Sequence, residues 1–280
     1  MWRELLAQNV DDADVIIFGI PYDGNCSVGR GAAIAPKVIR ELSEHLPPFA
    51  MNGSKVDPIL FDLGDVLSYD YESVREKMNV GKGKKLTLML GGDHSVSILS
   101  QRAYREINEG RRAIIHIDAH ADICDFYNGS ENSHACVNKR AIDNGFSPDD
   151  ITMIGIRSYE EQEIDFLGRS SVSVFSSEDV IADTDAVVDA VIAKYADYDG
   201  VYLSFDIDSV DPAYAPATGT PEAFGLPSLT ALRVIKKLVA SLPVDVMDIV
   251  EVSPPLDVNN VTSWLALKFL IEILNLINKR

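Results

Sequence analysis

Cysteine is scarce in this sequence. Cys26, Cys124 and Cys136 are the only three in 280 residues, and no CxxC pair occurs. An odd number at such spacings argues against a disulfide framework and a thiolate zinc site, so reduced thiols are expected. Basic residues are also few: 25 Lys and Arg stand against 43 Asp and Glu, a net charge of −18. That balance repels a phosphate backbone and an anionic bilayer, so neither nucleic acid nor membrane is an expected partner. The longest apolar tract, residues 264–277, is interrupted by Lys268, Glu272 and Asn275. It reads as too short and too polar to cross a bilayer, and as a buried C-terminal helix instead. The first twenty residues carry Asp11, Asp12 and Asp14 and lack the basic, apolar, small-residue succession of a secretory signal, which makes a cytoplasmic location the expectation. Phosphate-cradling signatures are missing as well. Gly29-Arg30-Gly31 has no third glycine at the dinucleotide offset, and no GK pair is followed by Ser or Thr.

What is present is an ordinary globular composition, 46% hydrophobic and 24% charged. Short β-branched, apolar runs alternate with segments of helical period, the pattern of repeated βα units around a mostly parallel sheet. Strands are expected at 14–20, 59–62, 86–90, 114–118, 151–156, 172–175, 201–206 and 246–250. The clearest helices fall at 36–45, 95–108, 185–195, 228–241 and 262–278. No repeat, low-complexity stretch or long Gly/Ser linker divides the series, so residues 1–280 read as a single domain.

Ligands of open α/β sheets bind outside the carboxyl ends of the strands. Three of the expected strands run there into unusual sequence: Gly91-Gly92-Asp93-His94-Ser95, Asp118-Ala119-His120-Ala121-Asp122, and Ser204-Phe205-Asp206-Ile207-Asp208. Residues at i, i+2 and i+4 of extended backbone share a face, which puts Asp118, His120 and Asp122 together, and Asp206 with Asp208. With His94 these groups converge if the strands are neighbours. A lone DxD or DxH at a strand end more often caps or turns the chain. Three such clusters together would repel and desolvate one another unless cations neutralise them, so a metal is the economical explanation. Two imidazoles and four carboxylates exceed what one tetrahedral ion needs, and two ions sharing carboxylates fit better. Oxygen-rich mixed sites suit Mn²⁺, with Co²⁺, Ni²⁺ or Zn²⁺ able to compete. A pair of ions that holds a hydroxide at neutral pH implies hydrolysis.

These residues resemble the ureohydrolases, the family of arginase and agmatinase. The chain has GGDHS at 91–95, DAHAD at 118–122, SFDIDSVDP at 204–212 and EVSP at 251–254, in that family's order, and the likeness runs from GIPYD at Gly19 to the last helix. The resemblance implies an arginase-like three-layer α/β/α fold with one eight-stranded, mostly parallel sheet, two Mn²⁺ ions per chain, and a homo-oligomer, trimer or hexamer. It implies that His94, Asp118, Asp122 and Asp206 bind one ion and Asp118, His120, Asp206 and Asp208 the other. It also implies that His134 shuttles protons to the leaving amine and that Glu251 grips the guanidinium group of a small cationic substrate.

Within the family, His116, the SHA at 133–135, the TGTPE at 218–222 and the IGIRS at 154–158 are agmatinase-like, and Thr218 is expected among the substrate-binding residues. Asn25-Cys26-Ser27, Ala35-Pro36 and Ala223-Phe224-Gly225 depart from the usual motifs on expected substrate-side loops. The expected reaction is hydrolysis of agmatine to putrescine and urea by attack of a metal-bridging hydroxide on the guanidinium carbon, with Asp122 orienting the hydroxide. Asp125 and Glu131, in the loop between DAHAD and His134, are expected to repel the α-carboxylate of arginine. The alternatives are another guanidino substrate such as guanidinobutyrate or arginine, a single-zinc deacetylase-like hydrolase, and a non-catalytic homologue. The doubled ligand set speaks against the second, and the full complement of site residues against the third.

Overall fold

The structure, a computed structural model, describes residues 1–277. All eight expected strands form: β1 (Val15–Gly19), β2 (Leu60–Asp65), β3 (Leu86–Leu90), β4 (Arg112–Ile117), β5 (Ile151–Ile156), β6 (Ser173–Ser176), β7 (Gly200–Asp206) and β8 (Val244–Val250). They make one sheet in the order β2-β1-β3-β8-β7-β4-β5-β6, and every pairing is parallel. The helices are α1 (Ala35–Ser43), α2 (Tyr71–Gly81), α3 (Val96–Ile107), α4 (Val137–Asp143), α5 (Glu161–Leu167), α6 (Ser177–Ala182), α7 (Thr184–Tyr195), α8 (Ser228–Ser241) and α9 (Val261–Ile277). The last residue expected in a helix, 278, lies outside the described residues.

A parallel strand is covered on both faces, and the side chains show it. In β3, Leu86, Leu88 and Leu90 point into one apolar core and Met89 into the other; in β7, Val201, Leu203 and Phe205 face one and Tyr202 the other. Helices α1, α7, α8 and α9 pack on one another in one outer layer, and α2, α3 and α4 in the opposite one. This is the three-layer α/β/α arrangement with a single eight-stranded sheet. Four helices are not among the five that the sequence marks most clearly. The buried residues of α2 are only Val74, Met78 and Gly81, too thin a stripe to stand out. α4, α5 and α6 have seven, seven and six residues, fewer than two turns of periodic signal.

The C-terminal helix needs a correction. The segment Val258–Ile277 is long and apolar enough to cross a bilayer by length and composition alone, so its polarity does not decide the matter. Its placement does: 67% of the apolar stretch is buried inside the protein, and α9 packs on α1 and α8.

Candidate metal centre and substrate pocket

Four strands in the middle of the sheet, β3, β8, β7 and β4, lie side by side, and their carboxyl ends deliver the polar groups to one place. β3 leads through Gly91-Gly92 to His94 at the start of α3. A Cβ on Gly92 would lie 1.8 Å from the Tyr22 carbonyl oxygen, so this turn requires glycine. β8 leads to Glu251, whose backbone N–H donates to Gly92 O at 2.9 Å and whose Oε1 accepts from the His94 N–H at 2.7 Å. Asp122 and Glu251 sit at φ +49° and +61°, a left-handed backbone costly for side chains larger than glycine. Strain of this kind is held where surrounding contacts over-determine the chain, and here it turns Asp122 toward the His94 ring and Glu251 toward the His94 backbone and His134.

The convergence expected from extended backbone is found, but by a different route. β4 ends at Ile117 and β7 at Asp206, and Ile207–Ser209 is a 3-10 turn, so Asp206 closes its strand while Asp118, His120, Asp122 and Asp208 lie just past theirs. Each leading aspartate folds its own loop: Asp118 Oδ1 accepts from the His120 N–H at 2.7 Å, and Asp206 Oδ1 from the Asp208 N–H at 2.8 Å. The other oxygen of each turns to the centre. His94 Nδ1 stands 2.9 Å from Asp118 Oδ2, 3.1 Å from Asp206 Oδ2 and 3.2 Å from Asp122 Oδ2. On the far side of Asp118, His120 Nδ1 lies 3.5 Å from Asp118 Oδ1 and 3.2 Å from Asp208 Oδ2. One oxygen of each leading aspartate thus ties a turn while the other faces His94.

Two sets of donor atoms result, one of His94, His116, Asp118 and Asp122 and one of Asp118, His120 and Asp208, with Asp118 common to both; Asp206 is in neither set and borders the first through His94 Nδ1. Apart from His120 these side chains are buried. Burial, followed by the charges of Asp208 and Asp118, pushes the Asp206 carboxyl well above the usual carboxylate range. Burial and then Asp118 push Asp208 the same way. His94 Nδ1 and Asp118 Oδ2 make no hydrogen bond although both are buried. Unpartnered donor atoms aimed at a shared point, together with carboxylates that resist ionising side by side, fit divalent cations. His116 also reaches this cluster, and period two along β4 was the signal for it. Its Nε2 bonds to the His120 carbonyl oxygen at 3.2 Å, which can only accept, so the ring hydrogen sits there, and Asp118 Oδ2 lies 3.0 Å from the same nitrogen.

A pocket of about 150 Å³ opens over His120 and Asp122 and is lined by Ser27, Tyr127, His134, Tyr159, Glu160, Glu163 and Thr220, among others. His134 stands between two groups: Nδ1 is 3.4 Å from Glu251 Oε1, and Nε2 accepts from the Ser27 N–H at 3.1 Å. Thr218 is buried behind the wall with its hydroxyl unpartnered, and Thr220 takes its place on the pocket surface. Asp125 and Glu131 do not reach the pocket. Both are exposed and paired with Arg140 of α4, at 2.9 and 3.3 Å, which removes the repulsion expected of them. The acids on the pocket wall are instead Glu160 and Glu163, in the segment after β5. Glu163 is buried and accepts from the backbone N–H groups of Ile123 and Glu160 at 2.8 and 2.9 Å. The strand-end rule, applied to β5 as to its neighbour β4, would have found them.

Comparison with known proteins agrees with this arrangement. The guanidinobutyrase of Pseudomonas aeruginosa is 32% identical over 278 residues, spanning 95% of this chain and 86% of its own length. The agmatinase of Neisseria gonorrhoeae is 35% identical over 278 residues, spanning 94% and 87%. The crystal structure of the agmatine ureohydrolase of Thermoplasma volcanium superimposes with a TM-score of 0.83 at 34% identity, across 99% of this chain and 94% of that one. The sequence profile of the Arginase family matches residues 13–275. With that match over nearly its whole length, the fold it shares with these enzymes and a metal-binding cluster at its strand ends, the chain belongs to the arginase family and is a hydrolase.

Proposed function

We propose that this protein hydrolyses agmatine to putrescine and urea, with residues 1–280 acting as one ureohydrolase domain and two Mn²⁺ ions as its cofactor. His94, Asp118, Asp122 and Asp206 would hold one ion, and Asp118, His120, Asp206 and Asp208 the other, Asp118 and Asp206 being shared. Such a pair, when bound, supplies a water-derived nucleophile at neutral pH and draws charge from the reacting carbon.

The chain's own groups do the rest. Asp122 accepts a hydrogen from the attacking water and fixes its aim. Glu251 accepts from the guanidinium N–H groups, a planar fork that suits a carboxylate. His134 carries the proton to the departing amine. Burial opposes its cation, but the hydrogen bond and charge of Glu251 outweigh burial and raise its pKa to about 9. The Ser27 N–H acts the other way: it can only donate, so it favours the neutral ring with an open Nε2. An imidazole drawn both ways is suited to gain and lose a proton in one cycle.

The observation that carries agmatine over other guanidino compounds is the charge of the pocket wall. Glu160 and Glu163 line it, and no Lys or Arg does among the described residues. That wall favours an ammonium tail and disfavours a carboxylate. A second reading, 4-guanidinobutyrate, is supported by the likeness to the Pseudomonas guanidinobutyrase. Urea release from agmatine, arginine and 4-guanidinobutyrate with Mn²⁺ supplied tests the choice. Agmatine should have the highest kcat/KM; equal or better use of either carboxylate substrate overturns the agmatine reading.

A further inference from the structure

Behind the metal centre lies a buried carboxylate that the mechanism leaves unused. Asp248 of β8 is fully buried, and no ion pair among the described residues includes it. A carboxylate in the core with only neutral partners is costly unless every lone pair is met. Here four donors meet it. Oδ1 accepts from Ser204 Oγ at 2.8 Å and the Phe205 N–H at 3.1 Å; Oδ2 accepts from Ser97 Oγ at 2.7 Å and Tyr202 OH at 2.6 Å.

These contacts fix the direction of the next bond. A serine hydroxyl has one hydrogen, and that of Ser204 is given to Asp248. Only lone pairs of Ser204 Oγ remain to face His94 Nε2, 2.8 Å away. Nε2 must therefore be the donor, and in a neutral ring the lone pair then sits on Nδ1. Nδ1 is the atom left without a hydrogen bond amid Asp118, Asp122 and Asp206. We propose that Asp248 is a positioning residue for the metal centre: through Ser204 it holds His94 in the tautomer whose Nδ1 is open toward the ion. The inference rests on the two-ion reading above. It gives Ser204, the first residue of the SFDID run, a role distinct from those of the acids that follow it.

Mn²⁺ titration of metal-stripped protein against a chelating indicator, read beside the electron paramagnetic resonance of the loaded protein, tests it. Wild type should bind two ions with a spin-coupled signal; binding of fewer than two would remove the reading underneath rather than this relay. In Ser204→Ala the Nε2 hydrogen loses its acceptor. In Asp248→Ala the Ser204 hydroxyl is free to donate to Nε2 and move the ring hydrogen onto Nδ1. Each should weaken one ion roughly 10- to 100-fold and replace the coupled signal with that of isolated Mn²⁺. Ser204→Thr keeps the hydroxyl. Asp248→Asn can turn its oxygen to Ser204 and Phe205 and its amide to the rotatable hydroxyls of Ser97 and Tyr202. Both should bind within about threefold of wild type. Ser100→Ala, which cuts the Ser100 to Tyr202 link at the far end of the network, controls for loosened packing and should bind both ions normally. Thermal unfolding of the metal-free variants identifies any that fail to fold. The proposal is overturned if folded Ser204→Ala binds both ions as wild type does, or if Ser100→Ala loses one as readily.

Discussion

Replacing Glu160 by glutamine should change which tail the enzyme accepts. The side chain lines the pocket but is exposed, so its field on a substrate is screened by water. Two unit charges 4 Å apart interact by about 1 kcal/mol in water and about 4 kcal/mol at an effective dielectric of 20, and exposure selects the lower figure. One kcal/mol is roughly fivefold in kcat/KM. Agmatine, with an ammonium tail, should lose about fivefold in Glu160→Gln, while 4-guanidinobutyrate, with a carboxylate, should gain about fivefold from the relieved repulsion. The ratio between them should therefore fall about 25-fold, with kcat for agmatine nearly unchanged because the tail is held equally in ground and transition states. Urea release at several substrate concentrations gives both constants for each compound. A ratio that stays within twofold of wild type would refute the electrostatic argument and move selection to the aromatic wall of Tyr127 and Tyr159. Asp125→Asn, by contrast, should leave the ratio alone, since that acid is exposed and paired with Arg140.

His134→Asn should slow turnover by roughly 10² to 10⁴, the usual worth of a positioned acid or base, with both ions retained; loss of metal in this variant would make His134 a ligand. Asp206→Ala should abolish turnover and lower metal content, because one carboxylate then no longer serves two ions, and full activity with a single tightly held ion in wild type would contradict it. Metal removal by a chelator should lower the thermal midpoint by roughly 5 to 10 °C, the size expected for loss of a ligand present at a hundredfold its dissociation constant from a chain of this length. Differential scanning calorimetry with and without Mn²⁺ checks this, and an unchanged midpoint would mean that the acids are not waiting for cations.

The sheet was legible because a parallel strand buried on both faces is a continuous apolar run. β1, β3, β5 and β7 are buried at every position, and each was found within two residues of its true ends. The clustering of acids and histidines was legible for a related reason: polar residues that interrupt such runs have nowhere to go except the strand ends. The structure alters why they meet. Asp118 and Asp206 each use one oxygen to tie a turn and the other to face the centre, which extended-strand periodicity does not describe.

At the substrate end the structure places Asp125 and Glu131 off the pocket wall, and the difference from expectation traces to one short helix. α4 has seven residues, too few to show a period, so the sequence does not reveal that Lys139 and Arg140 turn back onto the loop before them. Asp125 and Glu131 therefore looked like uncompensated charge beside His134. Folding α4 brings Arg140 back onto both, so their charge is met within the protein. Glu160 and Glu163 have no basic partner among the described residues, and they lie in the loop and helix that follow β5, whose neighbour in the sheet is β4. The clustered acids follow from local motifs because each motif builds its own turn. Pocket-lining residues follow from which loops end up side by side, and a seven-residue helix was enough to draw Asp125 and Glu131 into ion pairs while Glu160 and Glu163 line the pocket.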